Sequence, residues 1–171
     1  YHIINYILSS NEDFKYNLNE FIINNENRSF QLVQNNTHPN FYLVDILNEK
    51  KNIDINQIRE MITFTNKSTF NNMPKFILID NIEYLNKNSI NALLKVIEEP
   101  NDNVFFILIS NSEKPILPTL ISRCLIFRIN FTFNHSMYVC NKIVNENIFD
   151  LINYDLISYY NTPGEIINLI N

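Results

Sequence analysis

The sequence predicts an α/β fold: a parallel five-stranded sheet with flanking helices, followed by a small helical domain. Three observations predict it. Two continuous apolar runs, at 76–79 (FILI) and 104–109 (VFFILI), are closed by the polar residues Asp80 and Ser110-Asn111. Unbroken apolar runs of that length are how strands buried on both faces read. The stretch between them has a helical period, with Ile90, Leu93, Leu94 and Ile97 at i, i+3, i+4 and i+7, and Pro100 lies just past its end. Beyond about Asn130 the strand-like runs stop and only short helical patterns remain.

Taken in order, the elements begin with the apolar run at 2–8, expected to be the first sheet strand. Residues 9–16 (SSNEDFKY) lead into an expected helix with Leu18, Phe21 and Ile22 on one face. Strands are then expected at 30–33 and 41–47. Asp54 has the residue type and position of an N-cap for a helix carrying Ile55, Ile58, Met61 and Ile62 on one face. The 76–79 strand, the helix and the 104–109 strand follow, and a further strand is expected at 124–129, after Ser122-Arg123. Short helices are expected around 136–144, 149–159 and 163–170, the last with Pro163 in its first turn, where proline is favoured. In a parallel sheet of this order the polar residues at the strand ends line one rim, the rim on which such sheets carry their ligand sites. The expected division is an α/β domain at 1–130 and a small helical domain at 131–171.

Composition narrows the function. The chain has 171 residues, 46% of them hydrophobic, enough for a real core. Its 13 basic and 18 acidic residues leave a net charge of −5, which argues against an autonomous nucleic-acid binder. The two cysteines, Cys124 and Cys140, form no CxxC pair and read as reduced thiols of a cytoplasmic protein rather than a disulfide scaffold. His2, His38 and His135 have no second ligand at metal spacing, so no metal is expected. The apolar runs are far shorter than the roughly 20 residues of a membrane-spanning helix. Chain position 1 is Tyr, not Met, which reads as a fragment or trimmed chain.

The turn at 9–16 invites comparison with a phosphate-binding loop, GxxxxGK[ST], in which glycines let backbone N–H groups wrap the phosphates, Lys meets the terminal phosphates and Ser/Thr holds Mg²⁺. Lys15 has the right spacing. Ser9 and Phe14 stand where the glycines belong, Tyr16 replaces the hydroxyl ligand, and Glu12 and Asp13 repel an anion. The sequence has a single glycine, Gly164. On this reading Lys15 is a surface residue or a vestige of a nucleotide contact, and no cofactor is bound.

Between Lys75 and Arg128 a resemblance takes shape. Asp80, then Asn91-Ala92-Leu93-Leu94-Lys95 running into Glu98-Glu99-Pro100, then Leu117 through Ser122-Arg123-Cys124, is similar in order and separation to clamp-loader subunits of the AAA+ class. His38-Pro39-Asn40 resembles the His-Pro-Asp segment of the delta-prime family of bacterial DNA polymerase III loaders. Residues 55–59 (INQIR) resemble the IDQIR stretch shared by the delta-prime and gamma families. Those loaders carry a four-cysteine zinc module between the first helix and the His-Pro-Asp segment, and this chain has no cysteine there. The resemblance implies an AAA+ P-loop-NTPase-like sheet domain and a helical lid, with the collar domain that would follow missing from this chain.

It also implies site residues. Arg123 matches the arginine finger that reaches across a subunit interface to a neighbour's ATP, and Ser122 would cap or orient the short helix presenting it. From residue type alone, the favoured reading of Arg123 is an arginine paired with a carboxylate before the last strand. Asp80 matches the Mg²⁺-binding acid at a strand end, but Asn81 follows where a carboxylate would activate water. Ser110 and Asn111 match the position of a polar sensor of the γ-phosphate. At 161–166 (NTPGEI) the lid lacks the arginine that active loaders place on nucleotide; the sequence has none after Arg128. Lys87 and Lys95 lie on the helix that resembles the one lining a loader's DNA chamber. An intact outgoing finger with broken incoming sites implies a non-ATPase stator. Its partners would be gamma/tau and delta loader subunits and, through the complex, the sliding clamp and primer-template DNA, with no membrane. The alternatives are a gamma/tau-like loader ATPase with a degenerate loop, which ATP hydrolysis would reveal, or another AAA+ replication module with a basic DNA-binding face.

Overall fold

The structure is a computed structural model describing residues 1–19, 22–47, 50–111, 114–159 and 161–170. It separates into two compact units, Tyr1–Leu125 and Ile126–Asn171. Among the described residues no helix is long and apolar enough to cross a membrane.

The first unit opens with helices α1 (His2–Leu8) and α2 (Arg28–Gln34), then β1 (Phe41–Val44), α3 (Ile55–Thr65), β2 (Lys75–Ile79), a 3-10 turn at Ile82–Tyr84, α4 (Lys87–Glu98), β3 (Val104–Leu108) and α5 (Pro118–Ile121). The sheet is parallel, in the order β1-β2-β3. Every residue of the central strand β2 is buried, and its alternation sorts the core into two layers. Phe76 and Leu78 pack with Phe41, Ile4, Leu8 and Val33, on the α1–α2 side. Ile77 and Ile79 pack with Val44, Ile58, Met61 and Leu93, on the α3–α4 side. The register places Phe41, Phe76 and Phe105 in one row across the strands. Apolar burial on both faces is what makes these strands continuous rather than alternating in sequence.

Among the described residues the sheet therefore has three strands, not five. The run at 2–8 is helix α1: Ile4 and Leu8, four apart, are buried while Ile3 is exposed. A seven-residue apolar run does not distinguish a strand from a short buried helix. Residues 30–33 lie in α2, started by the Asn27 side chain accepting from Phe30 N–H at 2.8 Å. The run at 124–129 forms no regular element. Among the described residues no helix forms just beyond residue 16 either. Asn17 and Ile22 form an antiparallel bridge, with Leu18 and Ile22 exposed, and Phe21 lies outside the described residues.

The helices α3 and α4 form where expected. Asp54 accepts from the N–H groups of Asn56 and Gln57 while the Gln57 side chain accepts from Asp54 N–H, a complete capping box. Asn86 caps α4 through Ser89 N–H. The end of α3 is fastened by a buried lysine. Lys75 Nζ donates to the carbonyls of Phe64 (2.9 Å), Thr65 (3.3 Å) and Lys67, so the first residue of β2 satisfies orphan carbonyls at and just beyond the helix end.

The second unit holds α6 (Phe133–Val144), α7 (Ile148–Leu151), a 3-10 turn at Tyr154–Leu156 and α8 (Pro163–Asn168), around a core of Met137, Cys140, Ile148, Ile152, Ile157 and Ile166. The single helix expected at 149–159 is split by extended backbone at Ile152, after which Asn153 caps the 3-10 turn.

Candidate functional site

The C-terminal ends of the three parallel strands converge on one polar rim: Asp45 after β1, Asp80 and Asn81 after β2, Asn111 beyond β3. Asn81 sits in the left-handed region (φ 55°), which asparagine tolerates better than most residues. That conformation aims its carboxamide along the rim. Its Nδ2 donates to Asp45 Oδ1 at 2.9 Å and its Oδ1 accepts from Asn111 Nδ2 at 3.1 Å, so one side chain ties three strand ends together. Asn111 N–H donates to Glu83 Oε1 at 3.1 Å. Asp80 accepts from Asn81 N–H at 2.8 Å. Burial pushes the Asp80 carboxyl above its ordinary range; Asp45 and Glu83 push the same way, and the Asn81 N–H partly offsets them. The Tyr1 phenol is raised by burial and then by the charges of Asp80 and Asp45, which places it near this rim.

Of the residues singled out from sequence, Asp80 and Asn111 meet here, bridged by Asn81. Asp45 was not anticipated. Asp45 ends an apolar run as Asp80 does, the one available signal, but its partner is 36 residues away. Lys15 is exposed, and among the described residues no hydrogen bond or ion pair joins it to Asp80 or Asn111. The comparison of 9–16 with a phosphate loop loses its frame: such a loop joins a strand to a helix, and this segment leaves helix α1.

The same segment is instead held by a polar chain. Glu12 accepts from Ser29 N–H (3.0 Å) and Ser29 Oγ (2.5 Å); Ser29 Oγ contacts His38 Nε2 (3.3 Å); His38 Nδ1 accepts from Asn40 N–H (3.0 Å). This is no nucleophile triad. Because Nδ1 accepts, the neutral ring carries its proton on Nε2 and donates to Ser29, whose own proton goes to Glu12. His38-Pro39-Asn40 is a structural clip, with Asn40 also holding Phe70 and Met73 through its side chain. Among the described residues no group of three or more His, Cys, Asp or Glu side chains gathers to hold a metal ion.

Ser122 and Arg123 follow α5, begun by Pro118 at its first turn. Ser122 Oγ donates to Thr119 O at 3.1 Å and accepts from Arg123 Nη1 at 3.2 Å. Arg123 Nη1 also donates to Thr119 O at 2.8 Å, and its Nε donates to Glu98 Oε1 at 2.7 Å. The guanidinium is partly exposed, with 36% of the side chain open, and ion-paired at the end of α4.

A parallel sheet with polar strand ends, followed in sequence by a small helical unit, fits an AAA+ module of the clamp-loader class. The comparisons with known proteins agree. The family described as "DNA polymerase III, delta subunit" matches residues 12–132, and the chain belongs to it. It is similar to DNA polymerase III subunit delta' of Pseudomonas aeruginosa, 33% identical over 99 residues, 58% of this chain and 30% of that protein. It is also similar to DNA polymerase III subunit gamma of Buchnera aphidicola subspecies Acyrthosiphon pisum, 34% identical over 120 residues, 68% of this chain and 33% of that protein. Among solved structures, a gamma subunit-related protein of Thermotoga maritima superposes with a TM-score of 0.50 at 26% identity, over 58% of this chain and 33% of that one. The matches span about a third of these proteins' length.

Proposed function

We propose that this chain is the sheet-and-lid part of a delta-prime-like stator of a clamp loader, with the α/β domain at 1–130 and the lid at 131–171. It leaves hydrolysis to its neighbours and lends one of them Arg123 as a finger in trans. The observation that carries this reading is the partly exposed Arg123 guanidinium, with Ser122 beside it, at the end of α5. A guanidinium set at a neighbour's γ-phosphate offsets the charge that develops during transfer. The rim adds support. Asp80 is followed by Asn81 rather than a carboxylate, and Asn81 is committed to Asp45 and Asn111. Those residues do not fit a centre that activates water on Mg-ATP. On this reading the partners are gamma/tau and delta subunits, and the assembly places the sliding clamp on primer-template DNA.

The test is Arg123→Ala in the full-length subunit, reconstituted with its ATP-binding partners, clamp and primed DNA. Hydrolysis at the one site the finger serves falls by about 10³-fold, read as a partial loss of total ATPase with assembly intact. An unchanged rate removes the finger. A second reading, a gamma-like ATPase, has one observation in its favour: the gamma match extends over 68% of this chain, against 58% for delta'. Mg-ATP titrated into the full-length subunit alone separates the two. Binding heat with turnover favours the ATPase; neither favours the stator.

A further inference from the structure

We infer that Glu98 is an intramolecular stand-in for phosphate, occupying the anion-binding edge of Arg123 until a neighbour's nucleotide displaces it; this rests on the finger reading above. All three guanidinium nitrogens of Arg123 have partners, and they are of two kinds. Nη1 is held by the Thr119 carbonyl and Ser122 Oγ, both on or beside the arginine's own short helix. Nε and Nη2 both turn to one oxygen, Glu98 Oε1. The Nε–Nη2 edge is a fork that matches carboxylate and phosphate alike. So the helix α5 fixes one corner of the guanidinium, and the edge left over for an anion is filled by a carboxylate from the last residue of α4.

The pair is built to be exchanged. Both side chains are substantially open, 36% for Arg123 and 47% for Glu98, and a solvent-exposed pair of this kind holds weakly. A terminal phosphate carries more charge than a carboxylate and makes stronger charge-assisted bonds to the same fork. The Nη1 contacts need not break, so the guanidinium keeps its place while its partner changes. Glu98 is therefore a positioning residue that acts through Arg123, lowering the finger's free availability without touching the reacting atoms.

The experiment is a double-mutant cycle on ATP hydrolysis by the loader reconstituted with the full-length subunit, partners, clamp and primed DNA, measuring KM and kcat for ATP. Glu98→Gln removes the competing charge and keeps the size. The expected result is a KM lower by about 2- to 5-fold, the scale of an exposed ion pair, with kcat little changed, and no effect of Glu98→Gln in the Arg123→Ala background. A Glu98→Gln subunit with unchanged KM, or with lower kcat, overturns the competitor role while leaving the finger intact. An effect that persists in the Arg123→Ala background also overturns it, because Glu98 then acts by another route. If Arg123→Ala itself changes nothing, the finger reading has failed, and this inference falls with it.

Discussion

A buried histidine whose ring nitrogen accepts a backbone N–H has to stay neutral. His38 is buried, its Nδ1 accepts from Asn40 N–H, and burial lowers its pKa below the usual 6.5, with Glu12 pulling partly the other way. Since the folded value lies below the unfolded one, the unfolded chain takes up the proton first. The stabilisation is present at neutral pH and fades as pH falls from about 6.5 through the lower folded value. Melting temperature should therefore drop between pH 7 and pH 5, and His38→Asn should drop less, because an asparagine oxygen can accept from the N–H two residues on without titrating. Parallel pH profiles of the two proteins would refute this assignment. At this scale the sequence was legible only in part. Asp54 and Gln57 are three apart, so their capping box could be anticipated from the aspartate. Glu12 and Ser29 are 17 apart and Asp45 and Asn81 are 36 apart, distances at which only the folded backbone brings them together.

Elements were legible where burial and period agreed. In α4, Asn86 caps the start and Leu93 is fully buried against the sheet, while Lys95 is exposed one turn from the end. Leu93→Ala should cost about 2–5 kcal/mol, and Lys95→Ala no more than about 0.5 kcal/mol, both read from denaturant unfolding. Equal costs would mean that the helix is rotated about its axis. Where the period was short the reading failed. His2–Leu8 is one and a half to two turns long, and its buried pair, Ile4 and Leu8, also lies on one face of a strand. What decides for helix is exposed Tyr6, midway between them, and nothing local announces that. The consequence reaches the functional argument: a phosphate loop needs a strand before it, so misreading α1 as a strand is what made Lys15 look like a candidate. Lys75 shows the opposite failure. A lysine opening a strand reads as polar edge, yet it is buried because α3 ends in carbonyls that need a donor.

At the scale of the chain, the segment joining the two units carries an unpaid apolar surface. Leu125, Phe127 and Ile129 are 88%, 84% and 81% exposed, with Ile126 and Phe131 also open. The strand expected there rests on the apolar run at 124–129, read as a strand buried on both faces. A strand needs a ladder partner, and no such pairing is found for this segment among the described residues, so the run joins no sheet there and its apolar side chains stay open. Contiguous apolar surface of this kind marks either an interaction site or a tendency to associate. The free chain should accordingly bind an apolar reporter dye in its folded state, and replacing Leu125→Ser together with Phe127→Ser should remove most of that signal. Because both side chains are already in water, the double substitution should change stability by no more than about 1 kcal/mol, the sum for two surface positions. Unchanged dye binding with unchanged stability would place the apolar surface elsewhere. A large loss of stability would mean that these side chains are covered when the chain folds in solution.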